Sequence, residues 1–345
     1  MSIYFFAIFI SFLINSILIV PFINFLYKLK FRRADQSTRD AFNKNTPIFD
    51  KYNKQKAGRP VGGGILTVIT TLILYSFFLL LFVIFEQPLL TNFPSFFSEI
   101  KILVFSFISF ALLGVYDDLN KMFFWKKKEF FGLRLRHKLI LEIILAGIIS
   151  WWLFNDLKID IIHIPFFGVY NLSYFYIIFS TFTIVAFANA VNITDGVDGL
   201  ASGVLLITLF SFWVIAHTII DVPTLLFLAV WIGGIISFLY FNIFPARVFL
   251  GDAGALSFGA TFAVIGLILG KSFALPIIGG VFMIEILSSL IQLLGKRFLK
   301  RKIFSVAPFH LWLQHKSWDE PKIAMRMWVV SILFAVFGLM IAFLK

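Results

Sequence analysis

Several carboxylate, amide and imidazole side chains lie in the connections between long apolar stretches of this chain. Asp117 and Asp118 are adjacent at the end of one stretch, where the dipole of a helix ending there disfavours negative charge. Helix capping therefore explains them poorly, whereas paired carboxylates suit metal binding, or one proton acceptor beside one ligand. A solvated acidic pair is the alternative, and position alone leaves both interpretations open.

The densest polar signal is the segment 189–200, which reads Asn-Ala-Val-Asn-Ile-Thr-Asp-Gly-Val-Asp-Gly-Leu. We expect Asp195 and Asp198, three residues apart, to share a helix face, with Asn192 adding an amide one turn earlier. The two glycines allow a turn with positive φ or a close approach of a ligand to the backbone. A plain loop needs neither two Asn nor two Asp, so the pattern favours a binding or catalytic role.

Asp252 lies in the sequence Phe-Leu-Gly-Asp-Ala-Gly-Ala, where another apolar stretch begins. Taken alone, Asp252 is explained well enough as an ordinary helix N-cap. A helix N-terminus also favours phosphate, and Mg²⁺ can bridge a carboxylate to a phosphate with few protein carboxylates. The sequence therefore predicts either a cap or a magnesium ligand at this position.

Basic residues and a histidine accompany these acids. Lys121 and Lys138 could neutralise a phosphate, although each could also mark nothing more than membrane topology. The glycine-rich turn 57–64, beside Lys56, can expose backbone N–H groups to an anion, but a flexible turn explains it equally well. His310 precedes the last apolar stretch among aromatic residues that could form a membrane-interface belt.

Glu142 and Glu285 are predicted to lie inside apolar spans, where an ionisable side chain costs roughly 3 kcal/mol at the centre on insertion scales. Such residues either face the interior of a helix bundle or line a transport path.

The composition indicates a membrane protein with several spans. The chain has 345 residues, of which 60% are hydrophobic and 14% charged, and its mean hydropathy is +0.95. Soluble domains average nearer 25% charged residues. Cysteine is absent from the sequence, which excludes disulfides and thiolate chemistry. The first apolar run lacks a basic n-region and a small-residue cleavage site, so it is predicted to be a span and not a signal peptide.

The fold class predicted is all-α, a polytopic bundle of about ten transmembrane helices within a single domain over residues 1–345. Helices are expected because lipid leaves no partner for free backbone polar groups, and the apolar stretches approach the roughly 20 residues a bilayer requires. The predicted spans are residues 3–27, 64–85, 100–116, 138–154, 173–190, 200–217, 224–242, 255–270, 273–295 and 323–344.

Lysine and arginine concentrate in alternate connections. The connections 28–62, 117–138 and 296–322 hold ten, seven and seven of them, which together with Arg247 makes 25 of the 30 in the chain. Positive residues favour the cytoplasmic side of a membrane. We therefore predict that these connections form a cytoplasmic active site and that both termini are extracytoplasmic. A basic face of this kind attracts anionic substrates.

These motifs, in this order over nearly the whole chain, resemble the polyprenyl-phosphate N-acetylhexosamine-1-phosphate transferases. Within that superfamily the chain looks most like the muramoyl branch, the phospho-N-acetylmuramoyl-pentapeptide transferases. The segment 189–200 is the most specific match, and the resemblance also covers residues 57–64, 114–121, 249–259 and 308–323. The branch usually carries three consecutive histidines where this chain reads His-Leu-Trp from position 310.

The resemblance implies a role for each candidate residue. Asp252 would bind Mg²⁺, Asp117 would deprotonate or orient an attacking lipid phosphate, and Asp118 would assist it. The other implied substrate contacts are Asn192, Asp195 and Asp198 with uridine, Lys56 near the nucleotide, Lys121 and Lys138 with phosphate, and His310 with the phosphate or sugar.

The implied reaction is the Mg²⁺-dependent transfer of phospho-N-acetylmuramoyl-pentapeptide from UDP-MurNAc-pentapeptide to undecaprenyl phosphate, giving lipid I and UMP in peptidoglycan biosynthesis. The implied setting is the bilayer of a bacterial cytoplasmic membrane; no nucleic acid partner is expected, and a homodimer is left open. The alternatives are a UDP-GlcNAc-type transferase of the same superfamily and, in another class, a transporter of anionic lipids or nucleotides that would use Glu142 and Glu285 in its path.

Overall fold

The computed structural model describes residues 2–33, 50, 56–121 and 135–344. Over these residues the chain is helical apart from short connections and one antiparallel hairpin. The helices before the hairpin are α1 (Ser2–Lys28), α2 (Gly63–Ile84), α3 (Phe96–Leu119) and α4 (Leu135–Asn155), and the hairpin strands are β1 (Ile161–Ile164) and β2 (Gly168–Asn171). The helices after it are α5 (Phe175–Thr194), α6 (Leu200–Thr218), α7 (Val222–Asn242), α8 (Gly251–Ile268), α9 (Ala274–Ile278), α10 (Gly280–Phe298), α11 (Phe309–His315) and α12 (Glu320–Phe343).

The prediction of a polytopic helical membrane protein is confirmed. Within the described ranges, 9 helices are long and apolar enough to cross a membrane: α1 to α8 and α12. Large apolar side chains on their outer faces are exposed, including Ile73, Phe182 and Leu333. Hydrocarbon tails suit such a surface, whereas water does not. The side of the membrane on which each terminus lies stays a prediction.

The predicted span 273–295 is interrupted. It is divided into the short helix α9 and the longer helix α10, which meet at Gly279. A Cβ added at Gly279 would lie 2.7 Å from the ring of Phe187, and one at Gly280 would lie 2.6 Å from the ring of Phe334. The glycine pair therefore allows two neighbouring helices to pack against the break. An apolar run alone does not reveal this, since hydropathy is insensitive to such packing.

The centre of the bundle is formed by α7 and α8. Of the apolar windows of these two helices, 89% and 94% are buried inside the protein, against 22% for α1 and 33% for α12. Helix α8 packs against α3 and α5, and α7 packs against α1. The start of α8, which carries Asp252, is therefore surrounded by other helices and held by them.

A very close helix approach joins α3 to the beginning of α8. A Cβ added at Gly114 would lie 2.2 Å from the carbonyl oxygen of Asp252 and 2.4 Å from the backbone nitrogen of Ala253. Only a residue without a side chain fits between two backbones at this distance. Gly114 thus sets how near Asp117 and Asp118, one turn later, come to Asp252.

We predict that Gly114→Ala destabilises the protein by roughly 1–3 kcal/mol, the usual cost of overpacking, because the added methyl group meets backbone and not a movable side chain. Thermal unfolding of the purified protein in detergent measures the change. Gly147→Ala in α4 is the matched control, since no atom lies within 4 Å of its added Cβ. We expect it to be neutral or to stabilise by up to about 1 kcal/mol. Equal melting temperatures for the two variants would contradict the prediction.

Candidate functional site

Two carboxylates and two ammonium groups meet where α3 ends and α8 begins. The Nζ of Lys138 lies 3.1 Å from Oδ2 of Asp117 and 2.7 Å from Oδ2 of Asp252. The Nζ of Lys121 lies 3.2 Å from Oδ2 of Asp117 and 2.8 Å from Oδ1 of Asp252. Each lysine therefore bridges the same two carboxylates, which are 2% and 9% exposed.

Local structure explains how these four side chains converge. Asp117 lies in the last turn of α3, with Lys121 four residues later, and Asp252 lies in the first turn of α8. Lys138 comes from the beginning of α4. Burial lowers the pKa of the Lys121 ammonium, but Asp252 and Asp117 outweigh burial and leave that pKa above its ordinary value. Lys121 is therefore a fixed positive charge at neutral pH.

Asp118 caps α8 from a neighbouring helix. Its Oδ2 accepts a hydrogen bond of 3.1 Å from the backbone N–H of Ala253, and it is 1% exposed. The N-cap interpretation of Asp252 is therefore wrong: Asp252 lies inside the first turn of α8, and the N-cap residue Leu250 offers no capping side chain. Asp118 satisfies an amide of α8 and so fixes that helix start relative to α3.

The segment 189–200 does not form one continuous helix. Helix α5 ends at Thr194, α6 begins at Leu200, and the residues between them form a turn in which Gly199 has a φ of 75°. The expectation that Asp195 and Asp198 share a helix face is wrong, because the glycines on either side of Val197 end one helix and begin the next. The turn instead gives the two carboxylates different surroundings, since Asp198 is buried and Asp195 is partly exposed.

The carboxylate of Asp198 lies among basic groups and backbone. It lies 3.3 Å from the Nζ of Lys56 and 3.0 Å from Nη1 of Arg59, and it accepts a 2.9 Å hydrogen bond from the N–H of Ala246. Lys56 also bonds the carbonyl oxygen of Gly196 at 2.8 Å. These contacts join the glycine-rich turn 57–64 to the turn between α5 and α6.

Asn192 and Asp195 differ from Asp198 in being partly exposed. Neither side chain forms a hydrogen bond or ion pair within the described part of the chain. Burial raises the pKa of the Asp195 carboxyl to about 7, while Arg33 and Lys56 act in the opposite direction. Of the acidic and amide residues predicted in this segment, these two are best placed to meet a ligand.

His310 lies against the same turn. A Cβ added at Gly196 would lie 2.3 Å from Nε2 of His310, and the other ring nitrogen contacts Glu285. Glu142, the second acid predicted within a span, accepts a 2.5 Å hydrogen bond from the amide of Asn189. Both glutamates are 0% exposed. They therefore face the bundle interior, the first of the two alternatives for such residues.

Comparison with known proteins identifies the family. The family model for Glycosyl transferase family 4 matches residues 100–270. A Clostridium perfringens (strain SM101 / Type A) protein named phospho-N-acetylmuramoyl-pentapeptide-transferase is 34% identical over 329 residues, which cover 95% of this chain and 93% of that protein. The chain belongs to the phospho-N-acetylmuramoyl-pentapeptide-transferase family. The resemblance to the muramoyl branch is thereby confirmed.

Relatives from distant bacteria agree with this family. The protein of the same name from Caldanaerobacter subterraneus subsp. tengcongensis is 34% identical and covers 95% of this chain and 95% of its own length. The one from Borreliella burgdorferi (strain ZS7) is 31% identical and covers 94% of this chain and 91% of its own length. The likeness therefore extends over nearly the whole chain.

Sequence reasoning assigned no role to Glu320, which the structure places against Lys56 and Asp198. Its Oε2 lies 2.8 Å from the Nζ of Lys56 and accepts a 3.3 Å hydrogen bond from the N–H of Asp198. Glu320 begins α12, far along the chain from both partners. The resemblance over residues 308–323 includes Glu320 but implied no role for it, and an acid in the first turn of a helix is ordinary.

The acidic pair Asp117 and Asp252 fits a magnesium ion by the chemistry of its oxygen atoms. Mg²⁺ prefers carboxylate oxygens and usually takes only one or two of them from the protein, with substrate phosphates completing its shell. The positions of Lys121 and Lys138 show that these two carboxylates can hold positive charge between them. Among the described residues there is no cluster of three or more His, Cys, Asp or Glu side chains that could hold a metal without a substrate.

We predict that Glu320→Ala destabilises the site end of the bundle by about 1–3 kcal/mol, because the buried Lys56, which is only 3% exposed, loses one of its two carboxylate partners. Thermal unfolding and limited proteolysis at the start of α12 measure the effect. Asp319→Ala is the matched control, because its exposed carboxylate caps no amide of α12. The interpretation fails if both variants change stability by the same amount.

Proposed function

We propose that this chain transfers phospho-N-acetylmuramoyl-pentapeptide from UDP-MurNAc-pentapeptide to undecaprenyl phosphate, releasing UMP and forming lipid I for peptidoglycan. The single observation that carries the proposal is membership of the phospho-N-acetylmuramoyl-pentapeptide-transferase family over 95% of the chain. The cluster of carboxylates and lysines at one end of the bundle supports it, because phosphoryl transfer needs fixed charge around the phosphates.

The reaction joins an oxygen of the lipid phosphate to the β-phosphorus of the donor. The bond between that phosphorus and the bridging oxygen breaks, and UMP leaves with the electron pair. Negative charge therefore grows on the bridging oxygen in the transition state. Lys121 and Lys138, placed within 3.2 Å of the carboxylates of Asp117 and Asp252, can turn toward the phosphates and stabilise this charge.

In this proposal Asp117 orients the attacking lipid phosphate or accepts its proton. Asp117 lies in the last turn of α3, at one end of a span, where a lipid headgroup and a nucleotide from the water can meet. Asp118 acts at a distance from the substrate, because its carboxylate is committed to the amide of Ala253. Its contribution is to hold Asp252 in register with Asp117.

Mg²⁺, held by Asp252 with Asp117 beside it, would supply Lewis-acid charge to the donor's phosphates. The protein must also keep the repelling carboxylates together when no substrate is bound. Lys121 and Lys138 do this by bridging them. The same ammonium groups are then released toward phosphate when the substrate enters.

The donor's uridine and sugar are proposed to lie along the turn between α5 and α6. Asn192 and Asp195 offer side chains without partners among the described residues. His310 approaches from α11 and would meet the phosphate or the sugar. Lys56 and Asp198 already contact each other, and Lys56 also bonds the carbonyl oxygen of Gly196. These two residues therefore shape the turn, and they reach the ligand only if those contacts break.

The proposed setting is the cytoplasmic membrane of a bacterium, with the site facing the cytoplasm. The excess of lysine and arginine in the connections at the site end supports this orientation. A transporter is less well supported, since Glu142 and Glu285, the acids that its path would use, are buried and bonded within the bundle.

A donor assay tests the proposed function. The purified protein in detergent receives Mg²⁺, undecaprenyl phosphate and either UDP-MurNAc-pentapeptide or UDP-GlcNAc, and both UMP and lipid-linked sugar are measured. Product from the muramoyl donor alone is expected. Product from UDP-GlcNAc alone would assign the chain to the sister branch. An active relative serves as the control, and if it releases UMP while this protein releases none from either donor, the proposed transferase activity is wrong.

We predict that Asp252→Ala lowers turnover by about 10²–10³-fold or more at saturating Mg²⁺, because a preorganised charge at a reacting phosphate is worth that much. Asp252→Asn is expected to show a similar loss, which separates lost charge from lost volume. Asp319→Asn, an exposed acid near the same end of the bundle, serves as the control and should keep full turnover. Near-normal turnover of Asp252→Ala would exclude Asp252 as the metal ligand.

A further inference from the structure

Glu285 and His310 form a buried pair beside the turn between α5 and α6. Nδ1 of His310 lies 3.0 Å from Oε2 of Glu285. The backbone N–H of His310 also donates to the two carboxylate oxygens, at 3.1 and 3.3 Å. The two residues are 0% and 1% exposed. If the carboxylate is ionised it can only accept hydrogen bonds, and the hydrogen in the side-chain contact then belongs to Nδ1.

The other ring nitrogen faces the proposed donor site. A Cβ added at Gly196 would lie 2.3 Å from Nε2, so the edge of the ring rests directly on this glycine. Gly196 follows Asp195, and its carbonyl oxygen holds Lys56 at 2.8 Å. Within the part of the chain that the structure describes, no group hydrogen-bonds Nε2. Nε2 is thus the atom of His310 that can meet a ligand at this turn.

A structural role alone does not account for Glu285. The N–H at the start of the short helix α11 could be satisfied by any acceptor, including a neutral amide. A carboxylate inside an apolar helix instead costs roughly 3 kcal/mol on insertion scales. What the carboxylate adds is a second contact, to the imidazole ring, which fixes both the rotation of that ring and the nitrogen that carries the hydrogen.

The residues that follow His310 cannot take its place. Leu311 is 3% exposed and apolar, and Trp312 stacks on Phe309 with ring centroids 5.6 Å apart. His310 is therefore the imidazole that α11 directs at the Gly196 turn.

We propose that Glu285 is a positioning residue that holds His310 with Nδ1 protonated, so that Nε2 meets the phosphate or sugar of the donor beside Gly196. The substrate named here rests on the proposed function, whereas the hydrogen-bonded pair itself does not. In metal sites, removing the hydrogen-bond partner that orients a metal-ligating histidine typically lowers activity or affinity by about 10–100-fold, which sets the scale expected here.

The first test reads the pair directly and needs no activity. The full-length protein, with ¹⁵N-labelled histidine and in detergent, is studied by NMR, and His310→Asn identifies the signals of His310 among the five histidines of the chain. We expect Nδ1 of His310 to carry hydrogen in the wild type and in Glu285→Gln, whose amide oxygen can still accept. In Glu285→Ala the Nδ1 signal should change. A wild-type ring protonated only on Nε2 would overturn the proposal.

The second test asks whether the pair acts as a unit in the reaction. Glu285→Ala is expected to lower kcat/KM about 10-fold or more in the wild type and to have little further effect in His310→Asn, since a positioning residue needs the side chain it positions. An equal loss in both backgrounds would mean that Glu285 supports only the fold, and would overturn the proposal. Melting temperatures of all variants show whether each one is folded.

Glu99→Ala is the matched control. Glu99 is also 0% exposed within a span, and it accepts hydrogen bonds of 2.8 and 2.5 Å from Thr91 and Thr224, remote from the site. We expect its transfer activity to be kept. If the wild type transfers sugar phosphate from neither donor, the proposed function is wrong. The NMR result still decides whether Glu285 fixes the ring of His310.

Discussion

The two lysine bridges between Asp117 and Asp252 hold together helices that would otherwise repel each other at their ends. Each carboxylate is nearly buried, and each is placed where an opposite charge must accompany it. Removing both lysines would leave two buried carboxylates without an opposite charge, so the lysines are needed for the fold as well as for the proposed chemistry. A phosphate that enters the site competes for the same ammonium groups. The fold and the proposed chemistry therefore depend on the same charged side chains.

Close backbone contact makes this arrangement rigid. Gly114 brings α3 against the first turn of α8, and Asp118 then bonds the amide of Ala253 across the same contact. A second set of bonds joins Lys56, Asp198 and the carbonyl of Gly196. The turn that carries Asp195 is thus held from one side by charge and from the other by the ring of His310. Such preorganisation suits phosphoryl transfer, in which the protein contributes mainly position and charge.

Much of this could be predicted from the sequence, since the signals are local. Apolar stretches of about 20 residues define spans, and acidic and histidine residues in the connections mark one end of the bundle. The predicted pairing of Asp195 with Asp198 on one helix face was wrong because spacing alone does not show that glycines interrupt the helix. The predicted span 273–295 was interrupted for a related reason: the glycines at its break serve packing against Phe187 and Phe334, which apolar composition does not reveal.

The sequence by itself determined the class of protein, the number of spans to within one helix, and the family. It also determined which residues form the charged end of the bundle. It did so because burial in lipid and the chemistry of phosphate restrict which residue types can stand where. Tertiary structure alone decided the partners: that Asp118 serves a helix start, that Lys56 is held by Glu320, and that Glu285 faces His310. These contacts join helices distant in the chain, and no local pattern records which helix ends will meet.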